Sequence, residues 1–216
     1  MRHLWAAIAV ALSGVFAIAA PAHADTAPAT VLGADGFSVI VGAPDAPVQL
    51  EIFCEPQCPI CARFEDASGD ALSQRLAGGD LAITYRWVTF LDDKRHNDTS
   101  ARIANTLLLA ADPGTSAPSY QGFVTEMYRE QNGSADPPSA TQLATMAARN
   151  GVSGLAIARI AIDLPAVDTA VMNSTNMTRL EQVNPENPGT PAVYDLNTNE
   201  VVDAQGPGWL DSLFAS

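Results

Sequence analysis

The sequence predicts an α/β fold interrupted by a run of helices, on three observations. Two β-rich runs, Val48 to Phe53 and Leu81 to Phe90, flank a stretch with helical spacing that starts at Pro59. The span from about 97 to 183 carries helical patterns and no strong strand. Strand and hairpin signals then return from Thr190.

Taken in order, residues 1–24 read as a signal peptide. Arg2 supplies a basic n-region, an apolar run extends from Leu4 to Ala20, and Ala22-His23-Ala24 is a small-residue cleavage pattern. Cleavage would leave a soluble, exported chain, since no second long apolar run follows. Residues 25–36, small, polar and containing Pro and Gly, read as a flexible leader. Phe37 to Val41 is a short strand candidate, and Ala43-Pro44-Asp45-Ala46-Pro47 is a turn. Val48 to Phe53 alternates as a strand does, whereas Ile60, Phe64 and Ala67 recur at helical spacing behind a proline suited to a first turn.

Helices are expected over Thr99–Ala111, Tyr120–Gln131, Thr141–Arg149, Gly154–Ile162 and Val167–Gln182. Asp112-Pro113-Gly114 stops the first of these, and Ser139 is an N-cap for the third. The loop 184–189 leads to a strand over Thr190–Asp195. A turn at Asn197-Thr198-Asn199 returns Glu200–Asp203 against it, and 207–214 suit a last short helix.

Composition narrows the function. Hydrophobic residues make up 47% of the 216 residues, enough for a core. The formal charge is −13, and loss of Arg2, the only charged side chain in the signal, takes it to −14. Such a chain does not bind nucleic acid or anionic lipid by bulk electrostatics. Of His3, His23 and His96 only the last survives processing, which excludes chemistry needing several imidazoles.

All three cysteines fall within FCEPQCPIC, at Cys54, Cys58 and Cys61. In an oxidising compartment disulfides persist, and three thiols cannot all pair within one chain. The Cys58-x-x-Cys61 pair lies between a predicted strand and helix. Helix N-terminal N–H groups favour a thiolate at Cys58, the expected exposed nucleophile, and the resolving Cys61 lies one turn in. Four-ligand zinc is disfavoured by the shortage of ligands. A proline at a strand start is uncommon within a sheet. Pro191 in Gly189-Thr190-Pro191-Ala192-Val193 fits a cis bond with its backbone open to a partner.

QCPIC after a strand, the long helical run and a Thr-Pro opening a late strand together resemble the DsbA-like thiol–disulfide oxidoreductases of the thioredoxin superfamily. The resemblance covers about residues 37–216. It implies a thioredoxin fold with an inserted all-helical domain, built as a first part over 37–96, an insertion over 97–183 and a second part over 184–216. It also implies Cys58 as nucleophile, Cys61 as resolving thiol, and Thr190 and Pro191 at the substrate backbone. Unfolded or reduced secreted proteins would be the substrates, with a membrane redox partner and no metal or organic cofactor.

Two departures bear on the chemistry. Pro59-Ile60 puts no histidine between the cysteines, which points to a milder oxidant. No carboxylate is placed under the site, since alternation turns Glu51 away from Val48, Leu50 and Ile52 as a surface or edge charge. Glu55 reads as a solvated loop residue and His96 as an exposed one.

Other readings stand beside this one. Cys54-x-x-x-Cys58-x-x-Cys61 has the spacing of a three-thiolate iron–sulfur site. Cys54 and Cys58 with His96 could serve a thioredoxin-like copper-binding or metallochaperone module. A non-catalytic thioredoxin-like binding module is the third. Cys54 itself is either a buried strand-end residue or an auxiliary redox thiol. The sequons at Asn97, Asn132, Asn173 and Asn176 need no explanation beyond chance.

Overall fold

The computed structural model describes residues 29–131 and 137–215. The expected signal peptide, the start of the leader and Asn132 lie outside them. Six strands form one sheet in the order β1-β2-β4-β3-β5-β6. They are β1 (Ala29–Leu32), β2 (Val39–Gly42), β3 (Val48–Cys54), β4 (Leu81–Trp87), β5 (Ala192–Asp195) and β6 (Glu200–Val202). β3 and β4 are parallel, and the other pairings are antiparallel. A parallel neighbour requires a crossover, supplied here by α1 (Pro59–Gly78). This helix opens with proline at its first position. It closes at Gly79, whose left-handed φ of 77° allows Gly79 N–H to reach the Leu76 carbonyl and Asp80 N–H that of Arg75, each at 3.2 Å.

Among the described residues, six further helices separate β4 from β5: α2 (Phe90–Arg95), α3 (Thr99–Ala110), α4 (Ala117–Arg129), α5 (Ala140–Arg149), α6 (Gly154–Ala161) and α7 (Thr169–Val183). A single turn, α8 (Trp209–Ser212), follows β6. Ser139 caps α5 as expected: its hydroxyl accepts from Gln142 N–H, and Gln142 Oε1 accepts from Ser139 N–H.

The period-2 alternation of β3 decides what surrounds the cysteines. Val48, Leu50, Ile52 and Cys54 enter the main core with Cys61, Phe64, Leu72 and Leu76 of α1. Phe53 enters a smaller cluster on the opposite face with Leu180 of α7 and Ala192. Gly69 lets α1 approach α4 closely, since a Cβ there would sit 2.5 Å from Thr125 Oγ1.

Four expectations are corrected. The leader is not flexible throughout: Ala29–Leu32 pairs with β2, because the β-branched Thr30 and Val31 match its register against Val41 and Ile40. The strand expected to reach Phe90 stops at Trp87, and Phe90 instead starts α2. Glu51 is not a surface charge. α7 covers that face of β3, and Glu51 is 2% exposed, paired with Arg86 of β4 and with Arg179 of α7 at 2.9 Å. Glu55 is not solvated but fully buried, for reasons set by the site itself.

Candidate active site

β3 ends at Cys54, whose register partner is Trp87 and whose carbonyl accepts from Val88 N–H at 3.0 Å. The chain then turns through Glu55-Pro56-Gln57, closed by a bond from Cys58 N–H to the Glu55 carbonyl at 2.9 Å. Cys58 is the N-cap of α1 in extended conformation (φ −74°, ψ 119°), and no side chain caps this end. The Cys61 N–H of the first turn faces the Cys58 sulfur and favours its thiolate against the other influences there.

Across the loop, the Thr190–Pro191 peptide bond is cis. The antiparallel register that sets Phe53 opposite Ala192 brings Thr190 to Cys58, whose S–H donates to the Thr190 carbonyl at 3.5 Å. The four residues expected at the site, Cys58, Cys61, Thr190 and Pro191, thus come from a helix start and a strand start that meet. Two details differ from expectation. Cys58 is only 7% exposed, and its thiol is held well above its ordinary pKa by its bond to Cys61 and by burial. Cys61 is fully buried and is pushed up in the same direction, chiefly by desolvation.

Cys54 is also fully buried, in the same core cluster as Cys61, and is among the groups that push the Cys61 thiol up. All three cysteines are thiols in the structure. His96 is exposed at the left-handed end of α2.

Polar groups line the buried side of the loop. Glu55 accepts from Gln57 N–H at 2.6 Å and from the Ser100 hydroxyl, while Tyr128 O–H donates to the Glu55 carbonyl at 3.1 Å. The Gln57 amide donates to Asp92 (2.7 Å), Ser100 (2.9 Å) and Asn97 (3.0 Å), which ties the loop to α2 and α3. Burial pushes the Glu55 carboxyl up to about 7, with the charges of Asp92 and Cys58 adding to the rise against the bonds from Ser100 and Gln57.

A second buried carboxyl, Glu65, lies one helical turn beyond Cys61. It accepts from Gln121 at 2.8 Å and Thr125 at 3.2 Å, both from α4, and desolvation raises it to about 7 as well. The sequence reading missed Glu65. Its spacing of four from Cys61, on the face that also carries Phe64, Ser68 and Leu72, was the available signal.

Beside the cysteines a groove of about 740 Å³ runs between α1 and the β5–β6 hairpin, with Ile60, Phe64, Pro191, Ala192, Val201 and Val202 among its lining. Ile60 is 47% exposed at its edge, close to Cys58 in sequence. Of the sequons, Asn176 is fully buried and donates to the carbonyls of Phe37 and Trp87, which excludes a glycan there in the folded protein.

The family model described as thioredoxin matches residues 35–207. Among solved structures, the chain is similar to the MdbA thiol-disulfide oxidoreductase of Corynebacterium matruchotii, with a TM-score of 0.70 and 19% identity over 84% of this chain and 90% of that one. It is similar to the MdbA protein of Corynebacterium diphtheriae, with a TM-score of 0.68 and 16% identity over 89% and 98%. Reduced DsbA of Mycobacterium tuberculosis gives 0.60 and 19% over 88% and 93%. The serine/threonine-protein kinase PknE of Mycobacterium tuberculosis is 30% identical over 200 residues, 90% of this chain. The chain spans 34% of that kinase's length, about a third. The sheet, the crossover helix and the helices between β4 and β5 are those of a DsbA-like thioredoxin fold, and the chain belongs to the thioredoxin family.

Proposed function

We propose that the protein is an exported thiol–disulfide oxidoreductase acting on cysteines of secreted proteins through Cys58 and Cys61. One observation carries this reading: two neighbouring thiols in the first turn of α1, whose start is uncapped, with the Cys58 sulfur against the Thr190 carbonyl. The names of the structural neighbours support the same class of activity, and the pattern of residues 1–24 supports export. Among the described residues no helix is long and apolar enough to cross a membrane.

In the oxidising direction, a substrate thiolate attacks the Cys58 sulfur of the Cys58–Cys61 disulfide. The S–S bond breaks, its electron pair leaves on Cys61, and Cys61 takes a proton. The second substrate thiolate then attacks its own partner sulfur and expels Cys58. The substrate loses two electrons and the dithiol gains them. In the reducing direction Cys58 attacks a substrate disulfide and Cys61 resolves the adduct. Cys58 is the partner for substrate because Cys61 lies fully inside. Thr190 and Pro191 hold the substrate backbone beside it, and the groove, lined by apolar side chains such as Ile60 and Phe64 and by polar ones such as Arg63 and Asp66, takes neighbouring side chains. A membrane redox partner restores the starting state.

Oxidising power follows stabilisation of the reduced form as thiolate. Here Pro59-Ile60 supplies no charge to favour the Cys58 thiolate, and burial disfavours it, which supports a mild oxidant. The test is oxidative refolding of a reduced, cysteine-containing protein and, separately, insulin reduction. Cys58→Ser is expected to abolish both. Activity retained by that variant would overturn the assignment.

A further inference from the structure

The sulfur of Cys61 has a thiol neighbour on each side. Cys58 lies toward the helix N-terminus and Cys54 toward the end of β3, and all three belong to one buried cluster. This placement follows from the backbone. Alternation along β3 turns Cys54 toward α1 with Leu50 and Ile52, and Cys61 is the α1 residue that enters the same core at that level. Cys54 and Cys61 are both 0% exposed, whereas Cys58 keeps 7% and faces Thr190.

Thiol–disulfide exchange needs an attacking sulfur within reach of a disulfide sulfur, and a leaving sulfur on that disulfide. When Cys58 and Cys61 are joined, Cys54 stands against the central sulfur and Cys58 is the leaving group.

We propose that Cys54 is a third redox-active thiol, which moves the disulfide inward from Cys58–Cys61 to Cys54–Cys61. The Cys54 sulfur, losing its proton, bonds to Cys61. The Cys58–Cys61 bond breaks and Cys58 leaves as thiolate, taking up a proton. One S–S bond is made and one broken, no electrons leave the protein, and no outside oxidant is required. The product stores the oxidising pair where substrate cannot reach it and frees Cys58 as a single thiol beside the groove. In that form Cys58 attacks a substrate disulfide without a resolving partner, so an adduct persists until Cys61 is released. The protein thereby has two oxidised forms, one that transfers its disulfide and one that holds it.

This inference rests on the proposed redox role of Cys58 and Cys61, and its test separates the two. The oxidised protein is acid-quenched, its free thiols are alkylated with iodoacetamide, and it is reduced and labelled with N-ethylmaleimide. Fragment-ion mass spectrometry then assigns each label. About one molecule in ten or more is expected to carry iodoacetamide on Cys58 and maleimide on Cys54 and Cys61, a ratio equivalent to ~30 mV for a two-electron couple. Iodoacetamide on Cys54 in every oxidised molecule would overturn the inference and leave the Cys58–Cys61 function standing. Failure to find any Cys58–Cys61 disulfide would overturn that function itself. A second arm keeps Cys54 native: Cys58→Ser is unfolded in urea and refolded in a buffer of reduced and oxidised glutathione, so that the buried thiols meet the oxidant before they are enclosed. Formation of an intramolecular Cys54–Cys61 disulfide is expected. Cys54 left fully alkylatable, with Cys61 free or glutathionylated, would overturn the inference.

Discussion

Glu51 and Glu55 stand four residues apart, one within β3 and one just past its end, and both are buried. Their surroundings are opposite. Glu51 faces α7 and is held by the guanidinium groups of Arg86 and Arg179. Glu55 faces the cysteine loop and is held by neutral donors, Ser100 and Gln57 N–H. A buried carboxylate bridging two guanidinium groups acts as a structural tie between sheet and helix. One with only neutral partners sits near the pKa of proton exchange at neutral pH. Glu65, held by Gln121 and Thr125, belongs to the second kind. The two sides of the sheet thus differ: one ties α7 through ion pairs, and the other holds carboxyls with neutral partners near the cysteine loop.

The largest effect expected from this contrast is at Glu51. Glu51→Ala leaves Arg86 buried without its main partner and should destabilise the protein by about 3–5 kcal/mol, measured by urea unfolding. Cys58 reactivity per folded molecule should stay unchanged. A loss of reactivity beyond the loss of folded protein would break the contrast.

Next in size is the pH dependence of stability. Glu65 rises from 4.5 to about 7 on folding, and Glu55 does likewise. Through that window the folded state keeps protons that the unfolded state releases. The stabilisation is therefore full below about pH 4.5 and is lost as pH rises through 7. The loss is on the order of 3 kcal/mol per carboxyl. Glu65→Gln should remove about half of the slope while leaving the contribution of Glu55. An unchanged slope in denaturant titrations from pH 4.5 to 7.5 would show that Glu65 does not carry this dependence.

The smallest effect concerns Cys58 itself. The Glu55 carboxylate that forms above pH 7 disfavours a nearby thiolate. Glu55→Gln should therefore speed iodoacetamide alkylation of Cys58 at pH 8 by about threefold, equivalent to half a pKa unit. A slower or unchanged rate would show that Glu55 serves only to hold the loop.

These contrasts mark where the sequence was readable. The strand Val48–Cys54, the helix from Pro59 and the later helices follow from local periodicity, so their existence could be read and their ends shifted by a few residues. The cysteines and Pro191 carry rare chemistry at fixed spacing and were equally legible. Glu51 and Glu55 were not, because the partners that bury them arrive from far along the chain. Arg179 is 128 residues beyond Glu51, and Ser100 is 45 beyond Glu55. Alternation correctly turned Glu51 away from Leu50 and Ile52, but it could not show that α7 would cover that face. The leader was misjudged for a related reason: Ala29–Leu32 becomes a strand only because β2 offers an edge. Cys58, expected to be exposed, is only 7% exposed and packs against the Thr190 carbonyl, 132 residues away in the chain and brought there by the register of β5 on β3.

The central claim is that Cys58 alone among the three thiols meets substrate. The most direct measurement uses Cys61→Ser, which removes the resolving thiol, incubated with a disulfide-containing protein substrate. Non-reducing electrophoresis and mass spectrometry then identify the site of any adduct. The account predicts a stable mixed disulfide on Cys58, absent from Cys58→Ser. An adduct on Cys54, or none at all from a folded variant, would contradict it.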